Sequence, residues 1–334
     1  MPRNREVEHM GKQIIAVDLG GTQLRTARYD LELNLLQREN TLTRADLGPQ
    51  STIDRMLTYI DMVMPVRRSD VLGIGISSPG PLNPVTGVII SPPNLPGWHN
   101  VRLVDIVSNE FDMPVYIGND ANVAALAEAS KGAAQGCRHV VYITVSTGVG
   151  SGVISDGKLV TGCAGLAAEL GHIPIIIDGG KVTSVELEAA GPAIARRIKS
   201  ALEAGASSRV IDLVDGDLTR IDAKAVGSAA ADGDQLAIKT LAHAGRMIGL
   251  GIVTALLLFN PEVVVIGGGV AKTGDLIFAP MWQAVQEHIL DGAFIADLRI
   301  EPAALGDDVA LVGAAALAAT AGGSLDISEL DRLF

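Results

Sequence analysis

The chain has 334 residues, 48% of them hydrophobic, enough to bury a large core in two domains or one big one. A net charge of -12 with only 26 Lys plus Arg, and no basic block beyond Arg67-Arg68 and Arg196-Arg197, excludes a nucleic-acid surface. The two cysteines, Cys137 and Cys163, supply neither a disulfide framework nor metal-site spacing, which fits a reducing, cytoplasmic address.

The opening MPRNREVEHMGKQ is polar and lacks an apolar h-region, so it is not a signal peptide, and Met10 is an alternative start. Period-two or all-apolar runs bounded by glycine predict strands over 14–18, 25–29, 71–77, 115–117, 140–145, 152–154 and 263–266. Helical patterns lie between them over 51–64, 101–111, 121–131, 187–204, 234–259 and 277–290, and an Ala-rich stretch over 307–320 reads as a closing helix. The class is therefore α/β. The apolar run MIGLGIVTALLLF ends at Asn260-Pro261; it is too short to cross a bilayer and reads as a buried helix, so no membrane partner is expected.

One supersecondary unit occurs twice: a strand, a glycine-rich turn and a second strand, first as IIAVDLGGTQLRTARYD (14–30) and again as VVYITVSTGVGSGVISDGKL (140–159). Ordinary hairpins need one or two glycines. Bare backbone lets N–H groups approach phosphate oxygens, and a neighbouring hydroxyl adds a donor. Gly20, Gly21 and Thr22 meet that description, as do Thr144, Ser146, Thr147, Gly148 and Gly150. Asp18, at the strand's end, is suited to hold Mg²⁺ through water. A third cluster, VVVIGGGVA, puts bare backbone at Gly267 to Gly269 after a strand, fit either for a tight turn or for a flat adenine or ribose. It lacks G-x-G-x-x-G, and no G-x-x-x-x-G-K-[ST] occurs, which disfavours dinucleotide and P-loop folds.

Asn119 and Asp120 stand between a short strand and an amphipathic helix, where Asp serves either as a cap or, in phosphoryl transfer to an alcohol, as acceptor of the hydroxyl proton. AAELGHIPI holds Glu169 and His172, and Glu186 follows in SVELEAAG. Carboxylates and imidazole hold sugar hydroxyls, since one carboxylate accepts two O–H donors; a solvated surface is the other reading.

In sequence order these motifs resemble the ROK family of sugar kinases and sugar-responsive repressors, over about Ile14 to Ala319. DLGGT and STGVGSG resemble its two phosphate loops, SSPGPLNPVTGVIISPPNLPGW its sugar-lobe loop, GNDANVAALAE its catalytic segment, and ELGH, EAAGPAI and GGGVA complete the set. The resemblance implies a two-lobed actin-like ATPase (ribonuclease H-like) fold with a duplicated core. It places 12–118 with 308–334 in a smaller N-terminal lobe and 119–307 in a larger C-terminal one. It implies an ATP- and Mg²⁺-dependent hexokinase acting on the 6-OH of glucose or a related hexose, and by family habit a homodimer. Asp120 becomes the base. Gly80, Asn119, Glu169, His172 and Glu186 join it around the sugar, Glu186 being preferred to Glu188 because it lies five residues before Gly191. Gly20, Gly21, Thr22, Thr147, Gly148, Gly268 and Gly269 hold the nucleotide and Asp18 the metal.

After Gly-His, typical members carry C-x-C-G-x-x-G-C, which with the histidine binds zinc. This chain reads HIPIIIDGGKVTSVELEAAG, without a cysteine, and one imidazole cannot build a four-coordinate site, so no zinc is expected. Two rivals follow: a sugar-sensing repressor, disfavoured by the acidic charge and the few residues before Asp18, and a non-catalytic relative that lost its sugar loop with the zinc.

Overall fold

Every residue of the first strand, β1 (Gln13–Leu19), is buried, because it lies inside a sheet covered on both faces. The chain continues through β2 (Gln23–Asp30), β3 (Leu35–Leu42), α1 (Gly48–Val63), β4 (Val71–Ser78), the two-residue strands β5 (Leu82–Asn83), β6 (Val88–Ile89) and β7 (Val101–Arg102), then α2 (Leu103–Phe111), β8 (Val115–Asn119) and α3 (Asp120–Lys131). The main sheet has the order β3-β2-β1-β4-β8. β1 and β2 are antiparallel, while β1 with β4 and β4 with β8 are parallel. β5, β6 and β7 form a small sheet of their own, beside which Leu95 and Trp98 join the core built on Ile15, Val17, Ile74 and Ile76.

This computed structural model describes residues 11–332; the first ten residues of the polar leader read above, and the last two residues of the expected 308–334 segment, lie outside the described residues. Two units divide the chain. The first runs to Gly136, and the second opens with β9 (Val140–Val145) and β10 (Val149–Ser155). The chain re-enters the first unit for Gly157–Leu166, which carries β11 (Lys158–Leu159). It then builds β12 (Pro174–Ile177), β13 (Lys181–Ser184), α4 (Val185–Ala189), α5 (Gly191–Glu203), α6 (Val210–Leu213), α7 (Ala223–Ala231), α8 (Gln235–Phe259), β14 (Val263–Gly267), α9 (Asp275–His288) and β15 (Arg299–Pro302) in the second. From Leu305 it belongs to the first unit again, with α10 (Val309–Ala319).

Within the second unit β10, β9, β14 and β15 lie in that order, β9 with β10 antiparallel and β14 parallel to both β9 and β15. Each unit thus repeats one plan, an antiparallel hairpin whose first strand takes a parallel neighbour and then another.

The division falls at Gly136/Cys137 rather than at 118/119. α3 stays with the first unit because α10 presses on it: a Cβ on Gly313 would stand 2.0 Å from the carbonyl oxygen of Val123. The same helix lies on β4, where a Cβ on Gly75 would stand 1.8 Å from the carbonyl oxygen of Ala314. The helix expected over 187–204 is two. Ala190 is extended between α4 and α5: Pro192 has no N–H to carry a continuous helix through this point, but it suits the first turn of a new one. α8 is long and apolar enough to span a membrane by composition alone, but 61% of its most apolar window is buried in protein, as expected of a core helix.

Candidate active site

The turn after β1 is held from below. Gly20 N–H donates to the carbonyl of Gln23 (2.9 Å), Thr43 Oγ1 donates to the carbonyl of Gly20 (2.6 Å), and Thr43 N–H donates to that of Thr22 (2.8 Å). Neither Gly20 nor Gly21 has a positive φ. What the turn needs is space: a Cβ on Gly21 would stand 2.9 Å from the carbonyl oxygen of Asn94, in the loop that leads to Trp98.

Asp18 sits opposite Arg25 on β2 and Ser77 on β4. Arg25 gives Nε (2.6 Å) and Nη2 (2.5 Å) to one oxygen, Oδ2, and its Nη1 to the carbonyl of Asp307 (2.8 Å). Oδ1 is left without a hydrogen-bond partner among the described residues. Burial raises the Asp18 carboxyl above its ordinary range in spite of Arg25.

Asn119 and Asp120 divide the roles that the sequence left open. Asn119 is the N-cap of α3, its Oδ1 accepting the N–H of Asn122 at 2.8 Å. Asp120 is the first helical residue and caps nothing; its Oδ1 accepts from Ser77 Oγ at 3.2 Å. Burial, and next the negative charge of Asp18, push its carboxyl up to about 6, against the pull of Ser77. The residue is nevertheless open to solvent. Gly80 follows β4, and a Cβ there would meet nothing nearer than the Leu82 nitrogen at 3.9 Å, so bare backbone is open to a ligand.

In the second unit the turn between β9 and β10 is closed by Ser146 N–H on the carbonyl of Gly148 (2.9 Å). Gly191 N–H, at the start of α5, donates to the carbonyl of Ser146 (2.7 Å). Glu186, half-buried on α4, accepts the N–H of Val149 through Oε2 (2.9 Å), and a Cβ on Gly148 would stand 2.6 Å from that oxygen. Glu186, Gly148 and Thr147 are therefore neighbours. Glu169 and His172 are exposed and flank the buried pair Leu170-Gly171. That segment is fastened to β10: Leu170 N–H donates to Ser151 Oγ (3.1 Å), Ser151 Oγ donates to the carbonyl of Ala168, and Gly171 packs where a Cβ would stand 2.0 Å from the carbonyl oxygen of Val149. Ala168 holds φ 68°, a left-handed conformation that costs a non-glycine residue about 1 kcal/mol.

A cavity of about 1070 Å³ opens in the second unit between Ser146-Thr147, the start of α5, α7 and the Gly269–Lys272 segment. Gly269 lines it and has nothing within 4 Å of its Cβ direction, whereas Gly268 has φ +87° and a Cβ on it would stand 2.3 Å from the carbonyl oxygen of Val145. Of that glycine pair, one faces the cavity and the other makes the turn.

Arg25, Ser77, Thr43 and Gly191 were not singled out from the sequence. Arg25 and Ser77 follow from strand register, both being opposite Asp18, but the parallel partner of β1 is not visible in a linear pattern. Among the described residues no group of three or more His, Cys, Asp or Glu is arranged to hold a metal ion. The segment after His172 is instead the hairpin β12–β13, with Ile175 paired to Thr183 and Ile176 to Val182, which does not fit a zinc site.

A family model described as ROK family matches residues 14–321. The chain belongs to the ROK family. Its fold is the two-lobed actin-like ATPase fold with a duplicated core, which each unit's sheet displays. This ROK chain is 32% identical to the glucokinase of Thermotoga maritima over 91% of its own length and 96% of that protein's. It resembles the crystal structure of a ROK family glucokinase from Streptomyces griseus in complex with glucose and AMPPNP, with a TM-score of 0.72, 31% identity, and coverage of 91% of this chain and 98% of that one. It is also 31% identical to a xylose repressor of Caldicellulosiruptor bescii over 74% of this chain and 62% of the repressor.

Proposed function

We propose that this ROK protein is an ATP-dependent sugar kinase that moves the γ-phosphoryl group to a hexose hydroxyl, the 6-OH of glucose or a near relative, with Asp120 as base. The observation that carries the proposal is Asp120 itself: first in α3, relieved of capping by Asn119, exposed, and hydrogen-bonded only weakly by Ser77. A carboxylate with a pKa near 6 is ionised at neutral pH and a stronger proton acceptor than an ordinary one. As the sugar oxygen attacks the γ-phosphorus, its proton passes to Asp120 and the bond from phosphorus to the ADP oxygen breaks.

Glu169, His172 and Glu186 are read as the side chains that orient the sugar ring, with Asn119 Nδ2 and the backbone at Gly80 as further contacts. The cavity beside Thr147 and Gly269 has room for a nucleoside, and the turns at 20–22 and 146–148 offer backbone N–H groups to the phosphates. The free Oδ1 of Asp18 suits Mg²⁺, which takes one or two carboxylates and keeps its other positions for water and phosphate oxygens; when bound, that ion offsets charge on the phosphates. Glucokinase relatives support glucose as the first sugar to try. The likeness to the xylose repressor supports a second reading, a sugar sensor that binds without turnover.

The test is ATP consumption against a panel of hexoses, with Asp120→Asn alongside. Turnover with at least one hexose that the variant loses, while still binding the sugar calorimetrically, is the expected result. Sugar binding without ATP consumption on every hexose would favour the sensor, and a variant that keeps most of its turnover would remove Asp120 from its role.

A further inference from the structure

Two residues beyond Glu186, Glu188 turns to the opposite side of α4, because successive helical residues are separated by about 100°. Its carboxylate is gripped from three elements. Oε1 accepts from Thr183 Oγ1 on β13 at 3.0 Å, Oε2 lies 3.0 Å from Nε2 of His243 on α8, and Arg197 Nη1 on α5 stands 3.9 Å from Oε2. Glu188 and His243 are nearly covered, their side chains 12% and 18% exposed, so the pair is little screened. Burial would raise the Glu188 carboxyl, yet hydrogen bonds from His243 and Thr183 hold it below its ordinary range, so it stays charged within the grip.

α4 has only five residues, too few to hold a helical position without outside support. Its other ties include the Leu187 N–H donated to Ser184 Oγ (3.3 Å), Arg196 on the carbonyl of Leu187, and the Val149 N–H donated to Glu186 itself (2.9 Å). α8 also carries the neighbouring segment: at Gly251 the missing Cβ leaves room for Leu170 and Val185, which would stand 2.9 and 3.3 Å from it. One helix thus anchors both the strip holding Glu169 and His172 and the short helix holding Glu186.

We propose that Glu188 and His243 form a positioning clamp for the sugar side of the site, setting Glu186 and the β12–β13 hairpin where typical relatives use a cysteine-bound ion. The inference rests on Glu186 being a sugar contact. The clamp touches neither substrate; it acts through Glu186.

The experiment compares His243→Leu, which cannot reach the carboxylate with a donor, and His243→Gln, which can, with Glu188→Gln, Glu186→Gln and the double variant Glu188→Gln/His243→Leu, using the hexose of fastest turnover. His243→Leu is expected to raise the sugar KM about tenfold, leaving the ATP KM within about twofold and kcat within about threefold. His243→Gln should restore most of the sugar KM, and the double variant should be no worse than its more severe parent. If His243→Leu fails to fold, the near-isosteric Glu188→Gln carries the same test. An equal rise in both KM values, or a lower melting temperature with both KM values unmoved, would make the pair a plain structural tie and overturn the clamp. A raised sugar KM in Glu186→Gln beside an unmoved one in His243→Leu also overturns it. An unmoved sugar KM in Glu186→Gln overturns the sugar-contact reading instead, and the clamp's purpose with it.

Discussion

Asp18 and Asp120 are two carboxylates with different attachments, and the difference separates their tasks. Arg25 fastens Asp18 by one oxygen, while among the described residues Asp120 has only Ser77. As the proposed base, Asp120 has to be ionised to accept a proton, and its pKa is pushed up to about 6, so the proposal expects kcat/KM to fall on the acid side with an apparent pKa near 6; a profile flat down to pH 5 would contradict it. Asp120→Asn should lower kcat by about 10²–10⁴-fold, the range for a lost general base. The same raised pKa has a stability sign. Between the unfolded value, 3.8, and the folded value near 6, the folded state binds more protons, so stability present below pH 4 is lost as pH rises through 6. Asp120→Asn should therefore melt slightly higher than the parent at pH 7.5, with the gap closing below pH 4; solvent exposure of the carboxylate keeps the gap small. Asn119→Ala removes a cap instead and should cost about 1 kcal/mol in denaturant unfolding.

At the scale of elements, the two glycine turns respond differently to one added methyl. In Gly148→Ala the Cβ meets only the tip of Glu186, which swings aside, so the sugar KM should rise while the melting temperature changes little. In Gly268→Ala the methyl meets the Val145 backbone at 2.3 Å with φ at +87°, and neither yields; loss of several kcal/mol, or of soluble protein, is expected. The paired hairpins were legible in the sequence because β1 and β9 are buried strands ending in glycine and hydroxyl residues, a pattern with few other uses. β3 was not: as an exposed edge strand, LLQRENTL, it shows no alternation and carries the charges that edges need. The β12–β13 hairpin was missed because its Gly179-Gly180 turn joins strands only four residues long. The sequence offered the aspartate as cap or as proton acceptor; the fold gives the cap to its neighbour, Asn119. The grip of Arg25 on Asp18 needed strand register, which no linear spacing reveals.

For the whole molecule, metal dependence should separate structure from turnover. No cluster of metal-binding side chains exists among the described residues, so EDTA should leave the melting temperature unchanged while abolishing turnover, and added Mg²⁺ should restore it. Metal analysis of the purified protein should find zinc far below one per chain; a stoichiometric content, or unfolding by chelator, would contradict this.

α10 lies against β4, β1 and α3 of the first unit, yet it is made only after the whole second unit. During synthesis the first sheet leaves the ribosome with one face bare and must wait for the whole second unit to follow. At about 5–20 residues per second that interval is roughly ten to thirty seconds. Nascent chains stalled before residue 305 should accordingly recruit chaperones through β1 and β4, and a premature stop codon there would cost the cell both halves of the enzyme's chemistry even though every residue assigned to the site had already been translated.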